Sequence, residues 1–108
     1  MIRATTPKQT FAFHDVNPDE FKSILITYSQ GDTIVLEKEK SDLTFETVGE
    51  DEYIAWFRMT QEESSRFRVK NGKKVSVQVR VLTNENHALA SEEHQVFVSD
   101  VLDDRILT

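Results

Sequence analysis

Apolar and polar positions alternate with a period of two along most of the chain. Val75, Val77, Val79 and Val81 alternate with Ser76, Gln78 and Arg80, the pattern of a β-branched strand with one buried face. Tyr53, Ala55, Phe57 and Met59 form one face of a second strand and Ile54, Trp56 and Arg58 the other. Two of those last three are apolar, so this strand is expected to be central and covered on part of both sides. Ile24, Ile26 and Tyr28 alternate with Leu25, Thr27 and Ser29 in a third. Ser29-Gln30-Gly31-Asp32 then supplies a turn, and Thr33-Ile34-Val35-Leu36 begins the returning strand. Gly31 provides the positive φ that a tight hairpin needs.

Shorter segments complete the set. Thr10 to His14 reads as an opening strand, and Leu43 to Val48 as another, separated from Tyr53 by the acidic turn Gly49-Glu50-Asp51-Glu52. His94 to Ser99 reads as the last strand, entered through Ala88 to Ser91 after the polar turn Thr83-Asn84-Glu85-Asn86. The exception is Thr60-Gln61-Glu62-Glu63, a capping box that predicts one short helix near residues 61–67, ended by Asn71-Gly72, with Phe67 plugging the core. About seven strands with turns every 8–12 residues or so predict an all-β fold, an immunoglobulin-like antiparallel β-sandwich. The 108 residues are expected to form one such domain. Residues 1–8 and 102–108 are read as extended arms or docking tails, because Val101 to Leu107 keeps four apolar residues.

Composition narrows the chemistry. Cysteine is absent, which removes disulfides, thiolate catalysis and cysteine-based metal sites. No run approaches the roughly 20 apolar residues of a membrane span, and Met1 to Pro7 has no apolar segment of a secretory signal. Neither membrane association nor secretion is expected. The net charge of −6 lies in the first half: residues 1–54 hold 5 basic and 11 acidic residues, and residues 55–108 hold 8 of each. Arg66, Arg68, Lys70, Lys73, Lys74 and Arg80 fall within 15 residues with no acid between them. Such a run suits phosphate, but the acidic whole opposes approach to nucleic acid and stacking aromatics are lacking. A merely solvated loop is the plainest reading of it, and complementarity to the acidic first half of another subunit, or to a different protein, comes ahead of nucleic acid. Arg66, Arg68, Lys70, Lys73 and Lys74, with Leu102, Ile106 and Leu107 of the tail, form the candidate interaction surface.

No catalytic constellation emerges. His14, His87 and His94 show no metal-ligand spacing, no serine stands in a nucleophile elbow, and three glycines are too few for a phosphate-cradling loop. The carboxylates of Asp32, Glu50-Asp51-Glu52 and Asp103-Asp104 cluster in turns without a calcium loop, which reads as solubility. No catalytic residue, metal or cofactor is therefore expected. Tyr53 and Trp56 are the aromatics that would serve a carbohydrate platform if exposed, although Ile54, Ala55 and Phe57 around them read as a core strand.

Several segments also carry a resemblance: Met1-Ile2-Arg3-Ala4-Thr5-Thr6-Pro7 with Thr10-Phe11-Ala12-Phe13, Ile26-Thr27-Tyr28-Ser29-Gln30, Val35-Leu36-Glu37-Lys38 and Thr60-Gln61-Glu62-Glu63. Val77-Gln78-Val79-Arg80-Val81-Leu82-Thr83, Ala88-Leu89-Ala90-Ser91 and Val101-Leu102-Asp103-Asp104 continue it to the end. In this order and spacing the chain resembles small proteins encoded in the structural-gene modules of bacteriophages and prophages of Gram-positive bacteria. The resemblance implies a non-enzymatic virion structural or assembly protein, a tail or baseplate adaptor. Its partners would be other virion proteins or itself, in the host cytoplasm during assembly and then in the virion. It transfers no site residues. A carbohydrate- or host-surface-binding module and a nucleic-acid-associated protein using residues 66–80 are the alternatives.

Overall fold

The structure, a computed structural model, describes residues 5–67, 74–90 and 94–97. Its strands are β1 (Lys8–His14), β2 (Ser23–Gln30), β3 (Thr33–Glu39), β4 (Thr44–Gly49), β5 (Glu52–Arg58), β6 (Lys74–Leu82), β7 (Ala88–Ala90) and β8 (His94–Phe97), with one helix, α1 (Gln61–Ser65), between β5 and β6. The fold is all-β, as the alternation predicts. One antiparallel sheet has the order β1-β5-β4, and the other runs β3-β2-β6. β7 and β8 share the far edge of β6, opposite Arg80–Leu82 and Lys74–Val77 respectively.

The chain changes sheets three times. Between β1 and β2 it passes through the 3-10 turn Pro18–Glu20, and between β3 and β4 through the 3-10 turn Lys40–Asp42. The Lys40 ammonium ties these two crossings together, donating to the carbonyls of Asp19 (2.6 Å) and Phe21 (2.8 Å). The third crossing uses α1. Its N-cap Thr60 accepts the Glu63 N–H and the Glu63 carboxylate accepts the Thr60 N–H, the predicted capping box. Within a sheet, Gly31 (φ 60°) turns β2 into β3 through a two-residue loop, as expected.

The core lies between the sheets. Ile24, Ile26 and Tyr28 of β2, Leu36 of β3 and Val75 and Val77 of β6 face Ala55 and Phe57 of β5. Phe11, Phe13 and Phe45 pack against this layer half-buried, and Met59 and the fully buried Phe67 belong to the same cluster. Phe67 therefore plugs the core as predicted. Lys38 faces inward beside Phe57 and pairs with Glu63 at 2.5 Å, their side chains only 17 and 13 % exposed.

Two details go beyond the sequence reading. Residues 5–8 dock on the body: Thr5 is clasped by Ser64, Thr6 accepts from the Arg58 guanidinium and Pro7 accepts the Met59 N–H. Those partners lie more than 50 residues away, so no local pattern announces them. The second detail is a β-bulge. Tyr28 pairs with Leu36 but Ser29 pairs with Ile34, leaving Val35 as an extra residue. Ile34 and Leu36, two apart, would otherwise share a face. Instead Leu36 is buried and Ile34 is turned outward, 58 % exposed.

Candidate interaction face

β3, β2 and β6 build one part of the outer face of the larger sheet, with β7 and β8 beyond β6. Cross-strand pairing arranges it in three rows: Glu39–Leu25–Arg80, Glu37–Thr27–Gln78 and Ile34–Ser29–Ser76. A shallow depression of about 260 Å³ lies along it, lined by Leu25, Thr27, Ser29, Ile34, Glu37, Ser76, Gln78 and Arg80. Its centre carries no charge. Leu25, Thr27, Ser29, Ser76 and Gln78 are half-buried although no described element packs over them from outside, whereas Glu37 and Arg80 are exposed on β3 and β6 to either side. Among the described residues neither Glu37 nor Arg80 has an ion-pair partner. A centre without charge shares the charge depletion of protein contact surfaces, while its threonine, serine and glutamine side chains differ from the aromatic and apolar residues that fill the cores of such surfaces.

The sequence signal for this face was partial. Ser76, Gln78 and Arg80 mark the solvent side of β6, but their neighbours on β2 and β3 follow only from pairing, and Ile34 joins them only through the bulge.

Of the predicted surface, Arg66 caps the C-terminus of α1 and pairs with Glu62 at 3.1 Å, an i,i+4 contact that balances its charge within the helix. Lys74 opens β6, exposed and in step with Ser76 on the outer face. The structure thus places these two on different elements, and the third basic residue it describes from the run, Arg80, belongs to the face above. Arg68, Lys70, Lys73, Leu102, Ile106 and Leu107 lie outside the described residues.

The remaining candidates separate. Trp56 stands on the outer face of the smaller sheet, half-buried rather than between the sheets, in a row with Thr10 and Thr44. Lys8 caps its ring, the ammonium 4.3 Å from the centroid, and the indole Nε1 is buried without a partner among the described residues. A lysine seated on the ring occupies the surface on which a sugar would stack. Tyr53 lies on the opposite face of the strand, in a row with Phe13 and Thr47. His14 is exposed 3.8 Å from the Glu52 carboxylate, and His87 is exposed beyond the β6–β7 turn. Among the described residues no three histidine or acidic side chains gather into a metal-holding group, and no helix is long and apolar enough to cross a membrane. Compared with protein-family models, with curated proteins and with solved structures, the chain matches none significantly.

Proposed function

We propose that this chain is a non-enzymatic assembly module that docks onto protein through the outer face of β3, β2 and β6. One observation carries the reading: the half-buried, uncharged centre of that face between Glu37 and Arg80, charges that have no ion-pair partner among the described residues. The resemblance to phage structural-module proteins sets the context, a tail or baseplate adaptor assembled in the host cytoplasm and retained in the virion. An immunoglobulin-like connectivity is part of the same proposal. The order β1-β5-β4 and β3-β2-β6-β7 supports it, since it corresponds to such a sandwich lacking its first strand.

The test places a charge at the centre of the face. Thr27→Arg puts a guanidinium where a partner would lie, on a side chain outside the core. Particles assembled with this variant as the sole copy are expected to retain it at least about tenfold less than the wild-type chain, while its thermal melt is unchanged. Retention at the wild-type level overturns the docking face. A wild-type chain absent from purified particles overturns the virion context.

A further inference from the structure

We infer that the partner on this face is a second copy of the same chain, related by a two-fold axis that runs along β2; the inference rests on the docking face proposed above. The argument is one of pattern. Each row across the face is polarised about β2, with Glu39, Glu37 and Ile34 on the β3 flank and Arg80, Gln78 and Ser76 on the β6 flank. A two-fold axis parallel to β2, lying in the plane of contact, exchanges the two flanks and keeps each row in place. Glu39 of one copy then meets Arg80 of the other, and Glu37 meets the Gln78 amide. Ile34 covers the small Ser76, while Leu25 and Thr27 meet their own counterparts at the axis. Every pairing off the axis occurs twice, as an isologous interface requires.

The alternative axis fails on charge. An axis in the same plane but perpendicular to β2 lays each β3 on the other β3, setting Glu37 against Glu37 with Arg80 away from any acid. Like charges brought together in a desolvating interface oppose association. The face also suits aligned packing of two sheets, because its centre is made of small and medium side chains that let them approach. Glu39 is positioned in advance, since its carboxylate accepts the Asp42 N–H at the corner of the fold. The chain's halves, one acidic and one balanced, thus acquire a structural meaning: the acidic flank comes from the first half and Arg80 from the second.

The experiment is the solution mass of the full chain at increasing concentration, for the wild type, Arg80→Glu, Glu39→Lys and an equimolar mixture of the two variants. The wild type is expected to reach twice the mass of one chain, and less readily at high salt. Each reversal alone is expected to weaken self-association at least about a hundredfold, because symmetry makes it count twice. The mixture restores both pairings and should recover the dimer. Glu39→Lys also alters the N-cap of the Lys40–Asp42 turn, so Glu39→Gln, which removes only the charge facing Arg80 and keeps an oxygen able to accept the Asp42 N–H, serves as a second variant on the same flank. A dimer indifferent to all three variants, or a mixture that stays monomeric, overturns the two-fold pairing. A wild-type chain that remains monomeric at its solubility limit also overturns it. If Arg80→Glu then still abolishes retention in particles, the docking face stands with another protein as partner; if retention is normal, both readings fall.

Discussion

The Tyr28 hydroxyl, fully buried, donates a 2.9 Å hydrogen bond to Gln9 Oε1 and so joins β2 of one sheet to β1 of the other. Its ring meets Phe57 and Phe67 edge-on, at centroid distances of 6.1 and 5.9 Å. One side chain therefore fixes how the sheets stack and where the segment after α1 closes them. Tyr28→Phe keeps the ring contacts and leaves Gln9 Oε1 without its donor. The expected loss is about 1–2 kcal/mol, against about 3–5 kcal/mol for Tyr28→Ala, which opens a cavity as well. Urea unfolding of the two variants reads the difference, and equal losses would remove the hydrogen bond from the account.

The same burial pushes the Tyr28 hydroxyl well above the ordinary tyrosine range. A group whose native pKa is raised contributes stability that is complete below its unfolded value, about 10, and is lost as pH climbs toward the native one. Unfolding in alkali above about pH 10 is therefore expected to be steeper in the wild type than in Tyr28→Phe. Parallel pH–stability curves above that pH would contradict it.

At the other end of the scale stands Glu63. Burial by itself would raise its carboxyl. The Lys38 hydrogen bond, the Thr60 N–H and the charges of Lys38 and Arg66 outweigh that, and the group ends below its usual value. The folded chain thus holds this proton less tightly than the unfolded one. The stabilisation is present above the unfolded carboxyl value, about 4.3, and disappears as pH falls through the lowered native value. Glu63→Gln, whose amide oxygen can still accept the Thr60 N–H, is expected to cost about 1–2 kcal/mol at neutral pH through a half-buried Lys38 left without its counter-charge. The cost should shrink in acid. A constant penalty from neutral pH down to about pH 3 would show that the charge is not what matters.

Ser64 is buried at the heart of α1, where its hydroxyl accepts the Thr5 N–H (3.0 Å) and donates to the Thr5 carbonyl (2.6 Å). It stands in for a strand neighbour, satisfying both backbone groups of a residue that precedes β1. Ser64→Ala is expected to destabilise by about 1–2 kcal/mol. It should speed amide exchange at Thr5 without changing exchange in β2 or β6. Uniform acceleration throughout would mean that the clasp has no local role.

What could be read from the sequence divides along locality. The valines of β6 advertise their strand because one face is buried, the Gly31 hairpin because a left-handed residue is required there, and the Thr60–Glu63 box because both partners sit within one turn. The bulge at Val35, the Thr5–Ser64 clasp and the outward turn of Trp56 depend on pairing between distant segments. A shift of one residue in such pairing exchanges the faces of a strand, and periodicity alone does not reveal it. The proposed face has the same limit: one strand of it, with Ser76, Gln78 and Arg80, shows on β6, and the rest is chosen by register with β2 and β3.

Trp56 offers a direct check on that outward turn, because it is the only tryptophan and its fluorescence reports one site. The ring is half-buried beneath the Lys8 ammonium, with the indole nitrogen shielded. A core residue would emit at short wavelength and resist quenchers, and a free platform would emit as in water. The expected spectrum is intermediate, and a neutral quencher should reach the ring. Lys8→Ala removes the ammonium from the ring, a contact of about 0.5–1 kcal/mol at an exposed site. It should shift the emission to longer wavelength and raise the quenching constant about twofold, with the melt nearly unchanged. A spectrum that is blue-shifted, quencher-resistant and indifferent to Lys8→Ala would place Trp56 between the sheets and reverse the assignment of faces on β5.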